Sequence, residues 1–307
     1  MPRATRILLA ALFALALSAA AGCGGGASSD QSKPAQDLLR TAADRPARSA
    51  DLSVVARATL RGGLVPSGPF RLSVSGPYRS GGAGALPSLD WKLTGEGVGQ
   101  RLGLRLVIAG GDAYIGYEGR TYALGRRLGG RAGRGTSKER GLRRLGLDPA
   151  SWLKDGKVGA GPRVDGVPTR EASGQLDVGR VLHDVNKLIQ SPAVRAGLPP
   201  GTPVPTISDR AIGQIEDAVK DPRVTVDVGR RDNIVRRASV QLGFNVPEDQ
   251  QSRAGGVEGG TLSVVVRQAH VNGDQRVVAP SGARPLSELL RRLRITPHPL
   301  GVGLEPL

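Results

Sequence analysis

The amino-acid sequence predicts an α+β fold, in which a large curved antiparallel sheet forms a half-barrel and helices cover its concave face. Six stretches alternate apolar and polar residues with a period of two, as strands with one dry and one wet face do. These stretches predict strands of about 8 to 12 residues, longer than is usual, and long one-sided strands twist and curl. The few segments with helical periodicity must then cover the dry side.

The alternating stretches are 51–61, 70–75, 88–94, 101–108, 237–246 and 261–267. In the first of them, Leu52, Val54 and Ala56 alternate with Ser53 and Arg57. Glycine-rich and Asn-Gly pairs at 62–63, 110–111 and 272–273 predict turns between strands. Helical patterns occupy 35–43, 137–147, 149–155, 178–190, 207–219 and 286–293.

The N-terminus predicts export and lipid attachment. Arg3 and Arg6 precede an apolar run at 7–17, small residues fill 18–22, and Cys23 follows as the only cysteine. This resembles a bacterial lipoprotein signal, although Ala20 stands where leucine is commoner. The resemblance implies removal of residues 1–22, acylation of Cys23 by palmitate-like chains, and a flexible tether over 23–34. We therefore expect an extracytoplasmic protein anchored to the cell membrane. The alternative is an ordinary signal peptide followed by a chance cysteine.

Composition excludes several classes of protein and site. One cysteine rules out a disulfide scaffold, and with only His183, His270 and His298 it also rules out the usual zinc sites, so no metal or cofactor is expected. Ser151 and Lys154 match an S-x-x-K pattern, but no K-T-G accompanies it. No nucleophile has a credible base, and we expect no enzymatic activity.

Three stretches resemble the LolA/LppX-type lipid-carrier lipoproteins of bacteria, in particular their actinobacterial members. These stretches are 110–124 (GGDAYIGYEGRTYAL), 164–170 (VDGVPTR) and 224–237 (VTVDVGRRDNIVRR). The resemblance implies a single domain over 35–295, a Pro/Gly-rich tail at 296–307, and acylated lipids held between a half-barrel and its helices. The Arg-rich segment 126–144 and the Pro-rich loop 192–205 depart from the family pattern.

The predicted ligand site follows from these features. Aliphatic walls suit acyl chains, which have no polar groups to satisfy. The candidate wall residues are Leu72, Val74, Trp91, Leu93, Leu104, Leu106, Val240, Leu242 and Phe244. Candidate headgroup- or membrane-facing residues are Arg126, Arg127, Arg131 and Arg134.

Two functions remain open at this point. The first is a monomeric lipoprotein that binds or transports a membrane lipid in a hydrophobic cavity. The second is a non-enzymatic interaction or signalling module with a filled core, which binds an envelope protein or anionic polymer through its basic face. Nucleic acid is excluded as a partner by export and by the lack of aromatic residues among the arginines.

Overall fold

The computed structural model describes residues 32–63, 68–81, 86–124, 148–191, 204, 206–293, 295–298 and 301–304. It confirms the predicted class. Twelve strands form one open sheet, in the order β12-β6-β5-β4-β3-β2-β1-β11-β10-β9-β8-β7. The neighbours pair antiparallel, except that β12 is parallel to β6.

Along the chain, the strands form two series, β1–β6 and β7–β11, which meet at the centre of the sheet where β1 pairs with β11. Their bounds are β1 Ser49–Arg61, β2 Pro69–Arg79, β3 Ser88–Gly97, β4 Gln100–Ala109, β5 Asp112–Tyr117, β6 Arg120–Ala123, β7 Leu153–Ala160, β8 Thr169–Leu176, β9 Val219–Gly229, β10 Val235–Asn245, β11 Gly259–Ala269 and β12 Arg284–Pro285. A separate hairpin consists of β13 Ile295–His298 and β14 Gly301–Leu304. Each of the six predicted strands is present, and its observed bounds differ from the predicted ones by a few residues at most.

Four of the five described helices begin and end near their predicted positions, and the short helix Glu248–Gln251 was not predicted. The five are α1 Lys33–Ala43, α2 Val178–Gln190, α3 Asp209–Ala218, α4 Glu248–Gln251 and α5 Leu286–Arg292. The α2 N-terminus is capped by the Asp177 side chain, and that of α3 by Ser208. None of the described helices has the length and apolar character needed to cross a bilayer. The helix predicted at 137–147 lies outside the described residues.

The helix predicted over 149–155 is wrong. Only a 3₁₀ turn, Pro149–Trp152, forms there, and the chain then enters β7. Asp148 caps this turn by accepting a hydrogen bond from Ala150 N. The strand conformation of β7 is imposed by pairing with β8, from Leu153 opposite Leu176 to Ala160 opposite Arg170, a long-range contact that local helical periodicity does not contain.

The pairing register divides the sheet into two chemically different faces. Val54 of β1 lies opposite Val74 of β2 and Val266 of β11, and directly opposed residues point to the same side. We call this side the apolar face. The other side, the polar face, carries residues such as Arg57 and Arg71, which are also directly opposed.

Helices cover only part of the sheet. In the described part of the chain, extensive helix–strand packing involves β7, β8 and β9, which contact α1 and α3, and β6 and β12, which contact α5. The first core consists of buried residues of α1, β7, β8 and β9: Ala35, Leu38, Ala42, Leu153, Ala172 and Val228. A second consists of Leu176 with Val181 and Val185 of α2. The central strands β1, β2 and β11 contribute a third, described below.

Gly76 allows the backbone of β2 to approach that of β3 closely. Its φ is +146°, and an added Cβ would lie 1.9 Å from the backbone oxygen of Asp90. The backbones are therefore closer here than any side chain allows. Direct pairing of β2 with β3 is not recorded for Gly76 and Pro77, but the register is the same on both sides of this gap, from Ser75 opposite Lys92 to Tyr78 opposite Leu89.

Candidate functional site: the apolar face of the sheet

All nine predicted wall residues lie on the apolar face. Val74 is opposite Leu93 of β3, which is opposite Leu104 of β4. Leu72, Trp91 and Leu106 belong to the neighbouring rows of the same strands. On the other side of β1, the register continues through β11 to Val240, Leu242 and Phe244 of β10. The alternation read from sequence therefore identified one continuous surface, although β2–β4 and β10 are far apart in the chain.

The middle of this surface is an aliphatic cluster. Its buried members are Val54, Ala56, Val74, Val264 and Val266, each 5–6% exposed. Around them, Leu52, Leu72, Trp91, Leu93 and Leu262 are only partly buried. Large aliphatic side chains that keep part of their surface accessible, on the side of a sheet where a core belongs, form a surface that an apolar ligand can cover.

The coverage of the apolar face changes across the sheet. Val240 packs against the α2 cluster together with Val224 and Trp152. Leu104 and Leu106, at the β4 end, are partly buried, and no described helix packs extensively against β1, β2, β3 or β4. Within the described part of the chain, helices thus cover the predicted wall at β10 and do not pack extensively on it from β1 to β4.

At one end of the apolar face, aromatic rings lie over glycines of the neighbouring strands. A Cβ on Gly260 would lie 2.9 Å from the Phe244 ring, and one on Gly97 would lie 2.5 Å from the Phe70 ring. Each ring therefore covers a position where the neighbouring strand has no side chain. Phe244 therefore covers Gly260 on the apolar face. The sequence analysis did not predict this role.

Trp91 has a polar group that the described residues do not satisfy. Its Nε1 is buried and has no hydrogen-bond partner among them. A buried, unpaired donor costs about 1 to 3 kcal/mol. By contrast, Trp152 donates from Nε1 to Asp184 Oδ2 at 2.8 Å, beneath α2. The two tryptophans thus differ in both place and bonding.

Asp184 connects α2 to the turn before β7. This carboxylate, 4% exposed, accepts hydrogen bonds from Trp152 Nε1, from the Asp148 backbone at 3.1 Å and from Lys187 Nζ at 2.8 Å. Burial acts to raise the pKa of Asp184, but the bonds from Lys187, Trp152 and Asp148 outweigh it and lower that pKa. The sequence placed Asp184 on a helix but did not reveal this role.

The possible catalytic and metal-binding residues have structural partners. Ser151 donates its hydroxyl to the Asp148 carbonyl at 2.7 Å, and Lys154 forms an ion pair with Asp177 at 3.0 Å. His183 lies 3.9 Å from Asp209, both exposed. No group of three or more metal-ligating side chains occurs within the described ranges.

Two of the stretches that carry the family resemblance meet in space. Segment 164–170 leads into β8, and segment 224–237 forms β9, a turn and the start of β10. Arg170 donates to Asn233 Oδ1 at 2.6 Å, and Arg230 N donates to the Pro168 carbonyl at 3.0 Å. These contacts join the two turns at one end of the sheet. The third stretch forms β5, β6 and the turns flanking them.

The loop between β7 and β8 reaches as far as β11. Asp165 of this loop accepts a hydrogen bond from the His270 backbone at 3.0 Å. The ring of His270, the residue that follows β11, lies 2.8 Å from the Asp51 carboxylate. The bond to Asp51 and the charges of Asp165 and Asp51 raise the pKa of His270.

Some predicted residues lie outside the described part of the chain. They are Cys23, the proposed anchor, and the four candidate rim residues Arg126, Arg127, Arg131 and Arg134. Segments 126–144 and most of 192–205 are likewise outside it. Their roles stay predictions.

Comparison with solved structures gives likenesses at low sequence identity. LprF from Mycobacterium bovis is 12% identical, with a TM-score of 0.42, over 84% of this chain and 100% of LprF. A LolA superfamily protein from Nitrosomonas europaea is 10% identical, with a TM-score of 0.21, over 80% of this chain and 94% of that one. A DUF1329 family protein from Desulfovibrio piger is 10% identical, with a TM-score of 0.23 and the same coverage. No protein-family model matches the chain, and no curated protein matches it in sequence. The likeness is one of fold alone.

Proposed function

We propose that this protein is a membrane-anchored, extracytoplasmic lipoprotein that binds the acyl chains of a lipid or other amphiphile on the apolar face of its sheet. The observation that carries the proposal is the uneven coverage of that face. One aliphatic surface runs from β4 to β10, and the described helices cover mainly the β7–β10 side. Partly accessible Leu72, Trp91 and Leu93 surround the buried middle of this surface.

Acyl chains suit this surface for energetic reasons. Transfer of apolar area from water stabilises a complex by about 25 cal/mol per Å², and a sixteen-carbon chain gains roughly 10 kcal/mol before the costs of ordering it. Binding on such a surface is non-covalent and needs no catalytic group. The mechanism is therefore carriage or sequestration, and we assign the protein no reaction.

The anchor and the rim complete the proposal. Acylated Cys23 would keep the domain at the bilayer, with residues 24–34 as a tether of roughly 20 Å. Arg126, Arg127, Arg131 and Arg134 would face lipid headgroups, each contributing about 1 kcal/mol near an anionic surface. Mass spectrometry of the protein isolated from its membrane tests the anchor directly, since acylation adds a defined mass to Cys23.

Lipid extraction tests the ligand. We expect organic extraction of the purified protein, followed by mass spectrometry, to release amphiphiles in stoichiometric amounts. Leu93→Gln places an amide on the apolar face and should reduce the bound lipid severalfold. Lys92→Gln is the matched control, because Lys92 is the adjacent residue of β3 and points to the polar face. Wild-type protein that yields no lipid, or equal lipid from both variants, would refute the proposal.

A further inference from the structure

A cleft lies mainly on the polar face: six of its eight lining residues belong to that face, and Phe244 and Gly260 belong to the apolar face. It is located where β1 and β10 end and β9 and β11 begin, and its volume is about 320 Å³. It is lined by Thr59, Arg61, Lys220, Gly243, Phe244, Asn245, Gly260 and Thr261. This volume is at the lower end of the range for small-molecule sites, about 300 to 1,000 Å³.

The cleft is open because Gly243 has no side chain. The register places Gly243 between Thr261 of β11 and Lys220 of β9. An added Cβ at Gly243 would be 3.7 Å or more from its nearest neighbours, which is ordinary van der Waals contact. The backbone therefore tolerates a side chain at this position, and the space above it is free.

Two cations face this space with most of their donors unused. Arg61 donates from Nη2 to Asn245 Oδ1 at 3.0 Å, which fixes the guanidinium above Gly259. Lys220 donates from Nζ to the Asp217 carbonyl at 3.0 Å. Arginine has five N–H donors and lysine three, and neither residue forms an ion pair with a carboxylate in the described chain.

The other polar groups of the lining suit an anion as well. Thr59 and Thr261 are directly opposed residues of β1 and β11, and each has a hydroxyl that can donate. None of the lining residues is acidic. The next row of the polar face, in which Arg57 lies opposite Arg71 and Arg71 opposite Glu96 of β3, lies outside the cleft.

We propose that this cleft binds a phosphate group carried on a small polar body, such as a polyol phosphate. Arg61 and Lys220 would contact the phosphate oxygens from two sides, and the threonine hydroxyls would donate to the remaining oxygens or to the polyol. Gly243 leaves room for the ligand. The phosphate belongs either to a free phosphorylated metabolite or to the headgroup of a phospholipid, since both present the same chemistry.

Isothermal titration of the whole protein with sn-glycerol 3-phosphate at low ionic strength tests the site. We expect saturable one-to-one binding that weakens as salt is added, and no binding of glycerol. Arg61→Gln and Lys220→Gln should each weaken binding about tenfold, the low end of what a hydrogen bond to a charged group contributes. Arg57→Gln is the matched control, because it removes a cation from the same strand and face outside the cleft. Its affinity should stay within about twofold of wild type.

Gly243→Val separates the cleft from general surface charge. Valine favours strands and would fill the cleft without changing any charge, so binding should be lost while thermal unfolding stays near that of wild type. Should the valine variant not fold, the comparison of Arg61→Gln with Arg57→Gln decides alone.

The source of the phosphate is distinguished by a second ligand. Competition by soluble dihexanoyl phosphatidylglycerol indicates that headgroups enter the cleft, and binding of glycerol phosphate alone indicates a free metabolite; either result supports the site. Absence of binding, or equal weakening by Arg57→Gln and Arg61→Gln, overturns it. These results can be distinguished from those of the lipid extraction, because Arg61, Lys220 and Gly243 belong to the polar face and are not proposed wall residues, although Phe244 borders both sites.

Discussion

The two tryptophans provide a built-in test of the proposed lipid surface. Trp91 lies on the apolar face among the partly buried residues around the central cluster, and Trp152 lies beneath α2. They are the only tryptophans in the chain. Trp152→Phe leaves Trp91 as the sole indole fluorophore, and Trp91→Phe leaves Trp152. A fatty acid brominated in mid-chain quenches an indole with which it is in near contact, so we expect it to quench Trp91 much more strongly than Trp152.

The proposed surface is long enough for affinity to increase with the length of the acyl chain. The wall from β4 to β10 crosses six neighbouring strands, about 24 Å at the usual spacing of about 4.8 Å. Each buried CH₂ contributes about 0.8 kcal/mol, or about fourfold in affinity. Lengthening the chain from twelve to sixteen carbons should therefore tighten binding about 200-fold, with the ordering of a longer chain reducing that figure.

The assay is a titration of each single-tryptophan variant with brominated fatty acids of two lengths, at low and high salt. Circular dichroism of both variants checks that the fold is kept. Equal quenching of Trp91 and Trp152, or affinity that falls with salt and does not change with acyl length, would contradict acyl binding on this surface. The second result would instead favour an interaction module that uses its basic face.

Three further outcomes concern stability and can be measured by denaturant or thermal unfolding. Gly76→Ala should destabilise the fold by about 2 to 4 kcal/mol, because its Cβ would collide with the backbone of β3; Gly103→Ala, whose Cβ meets nothing within 4 Å, should be almost neutral. Asp184→Ala should cost about 3 kcal/mol by leaving buried donors unpaired, and an unchanged midpoint would contradict the connecting role of this carboxylate. The raised pKa of His270 means that its contribution is complete below about pH 6.5 and is lost as pH rises through the folded-state pKa. His270→Ala should abolish that loss, whereas an unaltered pH profile would show that the ring does not contribute.

Much of the sheet could be predicted because its central strands carry the signal of a one-sided surface. The alternation in 51–61 and 261–267 identified both strands, and the structure pairs them directly. The nine predicted wall residues share one face for the same reason, since apolar residues at every second position must share a side. Local sequence therefore located the surface without any knowledge of which strands are neighbours.

Other elements could not be found because their signal is not local. Strands β7 and β8 contain Gly156, Gly159 and Gly174, and two exposed lysines of β7 further obscure its alternation. A Cβ at Gly156 would lie less than 3 Å from the side chains of Leu153 and Ala35. A residue with a side chain at this position would therefore obstruct the packing of α1 against β7. The cleft at Gly243 was missed for a similar reason, because its lining comes from four strands and depends on an absent side chain.

The strand order also affects how the chain reaches its native state. β1 is formed from the beginning of the domain, yet one of its two neighbours is β11, and Asp51 meets His270 across a separation of 219 residues. The meander from β1 to β6 can assemble from adjacent hairpins. The pairing of β1 with β11, which joins this meander to strands β7–β11, can form only when nearly the whole domain is available. High contact order of this kind slows folding and leaves strand edges unpaired in the meantime. Until β1 pairs with β11, one edge of β1 remains available for pairing with another extended segment.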